Sequence, residues 1–263
     1  MQPLVNIAIQ AARKAGNIIV RAFDRLDTLE IHSKGRHDFV TEVDRKAEQE
    51  IIRQIRRAYP DHGFLAEESG ASGNDQSLWI IDPLDGTTNF IHGFPQFAVS
   101  IAFQRRNRLE AAVVYDPLRE EIFAASRGHG ARLNDRRIRV SNASHLDQAL
   151  LGTGFPFREL SQLDSYLSIF RELVSLTPGI RRAGSAALDL AYVAAGRLDG
   201  FWEFGLKPWD MAAGTLLITE AGGLVSDFSG NNRFMENGNL VTANSKIHKA
   251  LLTIIEAHPT HAG

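Results

Sequence analysis

Residues 79–90 read Trp-Ile-Ile-Asp-Pro-Leu-Asp-Gly-Thr-Thr-Asn-Phe. The apolar run from Leu78 to Ile81 predicts a short buried strand, and the polar residues after it end that strand abruptly. Two carboxylates, Asp82 and Asp85, therefore follow the end of a strand. Gly86 and the three residues after it predict the first turn of a helix, whose free N–H groups favour an anion.

This combination of carboxylates and free amides indicates a site for a cation together with a phosphate. Mg²⁺ prefers hard oxygen ligands and binds through a few carboxylates, water and substrate phosphate. Asp82, Asp85 and the main-chain carbonyl of Leu84 suit it. An inert surface turn of the type Asp-Pro-x-Asp-Gly is the alternative from these residues alone. Such a turn does not need an apolar strand before it, so the pattern favours the metal site.

The composition limits the classes of function that the chain can have. Its 263 residues are 44% hydrophobic, which is enough for a substantial core. A net charge of -2 gives no general attraction to nucleic acid or anionic membranes, so direct DNA binding is not expected. The sequence has no cysteine, no signal-peptide pattern and no apolar run of membrane-spanning length. We therefore expect a cytoplasmic protein without membrane contact.

Hydrophobic periodicity predicts a mixture of helices and strands. Apolar residues at helical spacing predict a first helix near the N-terminus, and Thr41 with Asp44 predicts the capped start of a second. The segments from Glu30 to Val40 and from Ser69 to Ser77 are polar, and each predicts a loop. Further along the chain, Val-, Ile- and Phe-rich runs predict successive antiparallel strands over Pro95–Phe103, Leu109–Tyr115 and Glu121–Ala125. No linker or repeat is evident, so we expect one folding unit over residues 1–263.

Three ordered motifs resemble those of the inositol monophosphatase family. Asp82 to Phe90 resembles the first family signature. The second signature is matched by Lys207-Pro208-Trp209-Asp210-Met211-Ala212-Ala213-Gly214 with Glu220-Ala221-Gly222-Gly223, and Glu67-Glu68-Ser69 matches the acidic segment before the first. Arg181 to Gly196 is similar to a bacterial branch of the family. The resemblance extends from the first helix over most of the chain.

The resemblance implies a fold and an activity. The fold would be α+β, a layered αβαβα sandwich, whereas periodicity alone supports only mixed α and β. The activity would be hydrolysis of myo-inositol monophosphates to inositol and phosphate, with two or three Mg²⁺ ions per subunit and inhibition by Li⁺. Family members are usually homodimers, so a homodimer is implied as well.

The resemblance also implies which residues hold metal and activate water. The implied metal ligands are Glu67, Asp82, the Leu84 carbonyl, Asp85 and Asp210. Asp44 would hydrogen-bond Thr87, and Thr87 with Glu67 would orient the attacking water. From the residues alone, Asp44 is better explained as an acid that favours a helix start. The same explanation is the alternative for Asp210, and a solvated acidic turn is the alternative for Glu67.

A third set of residues would contact the substrate. By family position this set comprises Glu67, Leu84, Asp85, Gly86, Thr87, Arg181, Gly184, Ser185, Ala186, Glu203 and Asp210. Close helix packing explains the small residues of the 181–196 segment without any function. Arg181 is a candidate for a subunit interface as well as for a substrate contact.

Other functions stay open at this point. Related signatures occur in phosphatases of fructose-1,6-bisphosphate, histidinol phosphate and nucleotide 3′-phosphates. The bacterial branch also implies a regulatory role, in which the protein contacts RNA polymerase or Nus factors during ribosomal RNA transcription antitermination. The arginines between Arg127 and Arg139 predict a solvated face, with an RNA or protein contact as the alternative.

Overall fold

The computed structural model describes residues 2–26, 31–35, 38–157 and 160–258, which form eight helices and fifteen strands in three sheets. The helices are α1 Pro3–Phe23, α2 Glu42–Ala58, α3 Thr87–Ile91, α4 Leu163–Leu176, α5 Ala186–Ala194, α6 Pro208–Glu220, α7 Phe234–Asn237 and α8 Ser245–Ala257. The strands are β1 Ile31–Gly35, β2 Asp38–Thr41, β3 Gly63–Ala66, β4 Gly70–Ser72, β5 Ser77–Asp85, β6 Ala98–Arg105, β7 Arg108–Asp116, β8 Glu121–Ser126, β9 Ala131–Leu133, β10 Arg136–Arg137, β11 Leu150–Thr153, β12 Gly179–Arg181, β13 Gly200–Glu203, β14 Leu224–Ser226 and β15 Leu240–Ala243.

The helices and the two larger sheets alternate in five layers. An eight-stranded sheet has the order β10-β9-β8-β7-β6-β5-β3-β4, and a five-stranded sheet has the order β12-β11-β13-β15-β14. Helices α1 and α2 pack on one face of the large sheet, α5 and α6 lie between the sheets, and α4 and α8 cover the outer face of the small sheet. The α+β class and its αβαβα layering are therefore confirmed.

The central strand β5 shows why its sequence is apolar on both faces. Trp79 and Ile81 pack against α1 and α2, whereas Ile80 packs on the opposite face against α5 and α6. Successive side chains of a strand point to opposite faces, so a strand between two helical layers needs apolar residues at every position. All three side chains are nearly inaccessible to water. The predicted buried strand at Leu78 to Ile81 is confirmed.

Two parallel strands bring acidic residues to one edge of the large sheet. Strand β3 runs parallel to β5, with Ala66 opposite Ile81, so the carboxyl ends of both strands meet at the same edge. The pairing of β5 with β6 shifts register between Asp82 and Asp85, where Pro83 interrupts the ladder. The chain leaves β3 at Glu67, and β5 ends at Asp85.

The sequence-based interpretation was wrong about two segments. The predicted loop from Glu30 to Val40 contains β1 and β2, which pair with each other in antiparallel orientation. Glu30, Arg36 and His37 lie outside the described residues. The predicted polar loop from Ser69 to Ser77 contains β4, which pairs with β3. Such short pairs depend on main-chain hydrogen bonds, so a polar sequence carries little signal for them.

The other predicted elements named above are confirmed, including the capping box at Thr41 and the antiparallel strands between residues 95 and 125. Among the described residues, no helix has both the length and the apolar character needed to cross a bilayer. The single folding unit over residues 1–263 stays a prediction.

Gly86 is expected to be irreplaceable for a conformational reason. Its φ is +101°, and a Cβ added there would lie 2.9 Å from the main-chain oxygen of Gln96. Gly86→Ala should lower the free energy of unfolding in urea by about 1–2 kcal/mol for the left-handed backbone and by about 1 kcal/mol or more for the overpacking.

Gly70 provides the matched control, because its φ is +74° and an added Cβ would meet nothing within 4 Å. Gly70→Ala should show the backbone cost alone. Equal losses of unfolding free energy in the two variants would contradict the proposed contact with Gln96.

Candidate metal centre and substrate cavity

Three aspartates form a compact acidic group in the wall of a cavity of about 1200 Å³. Asp82 and Asp85 come from the end of β5, and Asp210 comes from the first turn of α6. Each offers a carboxylate oxygen, and these oxygens all lie within 4.8 Å of one another. Asp82 is 2% exposed and Asp210 is 9% exposed, so the group is largely withdrawn from water.

Local main-chain donors orient two of these carboxylates. The N–H of Leu84 donates to Asp82 Oδ1 at 3.0 Å, which folds the carboxylate back over the turn that follows. The N–H of Lys207 donates to Asp210 Oδ2 at 2.7 Å across the start of α6. Each carboxylate therefore uses one oxygen to fix its own backbone and retains acceptor capacity for a ligand.

The third carboxylate is held by another helix. Asp85 Oδ2 accepts a hydrogen bond from Ser185 Oγ at 2.6 Å and another from the N–H of Ala187 at 2.7 Å. Ser185 is the N-cap of α5, and its hydroxyl also accepts from Leu188 N–H at 3.4 Å. The start of α5 is thus tied to the end of β5, a contact between residues about a hundred positions apart in the sequence.

Glu67 joins the acidic group from β3. Its main-chain N–H donates to the carbonyl of Ile81 at 3.1 Å, so the residue lies beside the end of β5, and it lines the same cavity. Both the charge of Glu67 and a side-chain hydrogen bond raise the pKa of Asp82. Four acidic residues from three elements therefore meet in one place.

Burial and mutual repulsion oppose ionisation of this group. Burial raises the pKa of Asp82 well above its ordinary value, and the charges of Glu67, Asp85 and Asp210 raise it further. Burial raises the pKa of Asp85 to about 6, against the effect of its two donors on α5. A divalent cation would relieve both effects at once, and a ligand set made only of oxygens fits Mg²⁺.

Thr87 lies next to the acidic group and contacts a buried aspartate. Its Oγ1 donates to Asp44 Oδ1 at 2.9 Å and also lies 3.1 Å from the carbonyl oxygen of Leu84. Asp44 is fully buried, and its other oxygen accepts from the N–H of Thr41 at 2.8 Å and from the Thr41 hydroxyl at 2.5 Å. The hydrogen bond between Asp44 and Thr87 is the contact that the family resemblance implies.

Small residues before α5 form a second wall of the cavity. Gly184, Ser185 and Ala186 line the same cavity as Gly86 and Thr87. This wall is fixed to the turn after β5 by the side chain of one asparagine. Asn89 Nδ2 donates to the carbonyl of Ala183 at 2.9 Å and to that of Gln96 at 2.7 Å.

Glu203 faces the cavity from the end of β13. Burial raises its pKa well above the ordinary value, and the charge of Asp210 raises it further. A Cβ added at Gly154 would lie 2.0 Å from the Glu203 carboxyl group, so only glycine leaves room for this side chain. The family resemblance indicated Glu203, whereas Gly154, which follows β11 directly, was missed.

The structure distinguishes two neighbouring arginines. Arg182 lines the cavity, with its guanidinium carbon 5.1 Å from the centre of the Phe155 ring. Arg181 is exposed and lies outside the cavity lining, so the structure does not bring it together with the other candidate substrate-binding residues. Side chains alternate along an extended segment, which separates the two residues. Arg182 and a further lining residue, Asp189, were missed by sequence reasoning.

The fold and the site together define a layered α+β protein with a candidate metal centre beside a polar cavity. The inositol monophosphatase family model matches residues 1–260, and the chain belongs to that family.

Individual relatives support the same assignment. The chain is 60% identical to a protein named Nus factor SuhB from Pseudomonas aeruginosa, over 98% of this chain and 97% of that protein. Its fold matches the crystal structure of the extragenic suppressor protein SuhB from Bartonella henselae with a TM-score of 0.94 at 46% identity, covering 97% of this chain and 99% of that chain. An inositol monophosphatase from Anabaena matches with a TM-score of 0.87 at 40% identity, covering 98% and 97%.

The raised pKa values give a prediction for the metal-free protein. Asp85 has an ordinary pKa of 3.8 and a folded-state pKa of about 6, so the folded state binds its proton more tightly than the unfolded state. Stability from this group is present at low pH and is lost as the pH rises through 6. The melting temperature in EDTA should therefore fall further below the melting temperature in Mg²⁺ as the pH rises from about 4 to about 6.

Differential scanning fluorimetry with and without Mg²⁺ measures this difference, and groups remote from the cation cancel in it. Asp85→Asn should reduce both the Mg²⁺-induced shift and its dependence on pH. A Mg²⁺-induced shift that is the same at all pH values would contradict a cation site built on Asp85.

Proposed function

We propose that this protein is a Mg²⁺-dependent phosphomonoesterase that hydrolyses myo-inositol monophosphates to inositol and phosphate. The observation that carries the proposal is the compact group of Asp82, Asp85 and Asp210 in the wall of a cavity that Glu203 also lines. Family membership supports the general chemistry. The acidic group supports the proposal that the reaction requires a cation. The polar cavity supports the proposal that the leaving group is small and carries hydroxyl groups.

The proposed ligands are Glu67, Asp82, the Leu84 carbonyl, Asp85 and Asp210, for two or three Mg²⁺ ions per subunit. When bound, Mg²⁺ neutralises phosphate charge and lowers the pKa of water. The Leu84 carbonyl keeps both lone pairs for this role while the Thr87 hydroxyl donates elsewhere, because one hydroxyl proton serves one acceptor well. The shorter distance from Thr87 to Asp44 than to Leu84 favours that arrangement.

The attacking water would be positioned by two acceptors. A Thr87 hydroxyl that gives its proton to Asp44 can only accept a hydrogen bond on its other side. Glu67 lines the same region and supplies a second acceptor. Two acceptors fix both protons of a water molecule and direct its lone pair towards phosphorus. Asp44 would thus act on the reaction through Thr87.

The remaining lining residues would hold the two ends of the substrate. The N–H groups of Gly86 and Thr87 would donate to phosphate oxygens, where charge is redistributed in the transition state. Ser185, Ala186 and the Gly184 main chain would contact the inositol ring. Glu203 would accept hydrogen bonds from its hydroxyl groups.

Removing one acidic ligand should abolish most of the activity without unfolding the protein. Asp85→Asn and Asp210→Asn should each lower kcat for inositol 1-phosphate by about 100-fold or more, the scale of losing one electrostatic contact to the transition state. Melting temperatures in EDTA should stay unchanged or rise, because each change removes a repelling charge.

Phosphate release measures this effect, and Asp75→Asn is the control because Asp75 is exposed in the loop after β4. Near-normal turnover of either variant at saturating Mg²⁺ would remove that residue from the proposed ligand set.

The substrate assignment needs a panel of phosphate esters. Inositol, glycerol, histidinol and sugar phosphates, fructose-1,6-bisphosphate and a nucleoside 3′-phosphate should be compared with Mg²⁺, with EDTA and with Mg²⁺ plus Li⁺. We expect a metal-dependent, Li⁺-sensitive preference for inositol 1-phosphate. A stronger preference for another ester would assign the related phosphatase activity instead.

We infer a regulatory binding role as the second candidate function. The specific observation is the 60% identity to a protein named Nus factor SuhB, which extends over nearly the full length of both chains. The proposed partners are RNA polymerase and Nus factors. The two roles are compatible, because the acidic group lies inside the cavity and leaves the outer surface for a partner. The homodimer and the cytoplasmic location implied by the resemblance stay predictions.

Co-purification separates the two roles. We expect tagged wild-type protein and tagged Asp85→Asn to retain bacterial RNA polymerase or Nus factors from a lysate equally, because the changed carboxylate is not on the outer surface. Retention of neither factor by the wild-type protein would argue against the regulatory role and leave the phosphatase proposal intact.

A further inference from the structure

Asp189 differs from the other buried aspartates of the protein. Among the residues that the structure describes, six aspartates are buried, and Asp189 is 2% exposed. The other five each accept at least one hydrogen bond; they are Asp44, Asp82, Asp116, Asp210 and Asp227. Within the described parts of the chain, the Asp189 carboxylate accepts no hydrogen bond and forms no ion pair. A buried carboxylate without a donor destabilises the fold, so this one calls for a ligand.

The position of Asp189 in α5 gives its side chain access to the cavity. It lies one turn after Ser185, on a helix whose other residues are apolar and pack in the core between the two sheets. Asp189 itself lines the cavity. Its Cβ lies near the end of β11, at 3.8 Å from where a Cβ would stand on Gly152. The carboxylate therefore enters the cavity from the side of the small sheet.

Asp189 and Glu203 make one wall of the cavity an acceptor surface. Glu203 lines the same cavity. Burial raises the pKa of both carboxyl groups, the charge of Asp189 raises that of Glu203 further, and Arg182 opposes both shifts. Arg182 carries the compensating charge without forming an ion pair with either of them. Two carboxylates that lack donors are complementary to a ligand with several hydroxyl groups, since each hydroxyl can give a charge-assisted hydrogen bond.

We propose that Asp189 is a further substrate-binding residue, which accepts a hydrogen bond from a hydroxyl of the leaving group and with Glu203 selects polyol phosphates. This inference rests on the proposed phosphatase function and assigns one more residue to its specificity. The acidic group on β5 and α6 would hold the phosphate end. Asp189 would bind a hydroxyl group at the opposite end of the same molecule.

The test compares two substrates that differ in hydroxyl groups. Wild type, Asp189→Asn and Asp189→Leu are assayed with myo-inositol 1-phosphate and with p-nitrophenyl phosphate, whose leaving group has no free hydroxyl. The ratio of kcat/KM for the inositol ester to that for the nitrophenyl ester should fall about tenfold or more in both variants, mainly through a higher KM for the inositol ester. An unchanged ratio would overturn the proposal.

Asp116→Asn is the matched control. Asp116 is buried but lies outside the cavity lining, and it accepts hydrogen bonds from the main-chain N–H groups of Leu118 and Arg119. This variant should melt at a lower temperature and keep the substrate ratio. Asp189→Leu should melt at the same or a higher temperature than wild type, because the carboxylate has no donor to lose. A lower melting temperature with equal losses on both substrates would show a structural role and overturn the proposal.

The failure of this inference is distinguishable from failure of the proposed function. If wild type hydrolyses the inositol ester and the ratio stays unchanged in the variants, only the role of Asp189 fails. If wild type hydrolyses no ester, isothermal titration calorimetry with myo-inositol 1-phosphate and Mg²⁺ still tests the contact, and equal or absent binding in wild type and Asp189→Asn overturns it. A changed Mg²⁺ requirement with an unchanged ratio would assign the carboxylate to a cation instead.

Discussion

Repulsion among buried carboxylates is the constraint on which the rest of this structure depends. The end of β5 holds Asp82 away from water and leaves Asp85 half-buried, and Asp210 is close enough for all three to share one cation. Two helix starts partly offset the repulsion. Ala187 in the first turn of α5 donates its main-chain N–H to Asp85, and Lys207, the residue before α6, donates its N–H to Asp210. At both helix starts the positive end of the helix dipole favours negative charge. The remaining repulsion is what a bound cation would remove.

The same two helices also form the core between the sheets, so packing and site geometry are coupled. A Cβ added at Gly214 of α6 would lie 2.4 Å from the Cβ of Leu190 on α5, which shows how closely the helices approach. The alanine-rich sequence of α5 permits this approach. Because α5 and α6 are fixed by apolar contacts along their length, their first turns hold Asp85 and Asp210 with little freedom. A substitution in the packed interface between α5 and α6 would therefore shift the carboxylates of the acidic group.

Local sequence signals were sufficient for the parts of the site that local structure creates. The strand end at Asp82, the turn at Gly86 and the capping box at Thr41 each follow from a few neighbouring residues. Other features of the site depend on residues that are distant in the sequence. These features are the space that Gly154 leaves for Glu203, the position of Asp189 in the cavity wall, and the presence of Arg182 rather than Arg181 in that wall. No periodicity encodes such contacts, because they arise only when β11, α5 and β13 come together. Glu203 was likewise predicted from the family resemblance and not from a local sequence pattern.

The acidic group bears on the relation between catalysis and partner binding. A protein that served only as a binding surface would gain stability from amides or apolar residues at Asp82 and Asp85, because buried like charges oppose folding. This chain instead keeps the carboxylates and orients them with main-chain donors, and it pairs Thr87 with a fully buried Asp44 beside them. Such an arrangement serves a ligand in the cavity and leaves the outer surface unconstrained. A partner on the outer surface would therefore leave the chemistry proposed for the cavity intact.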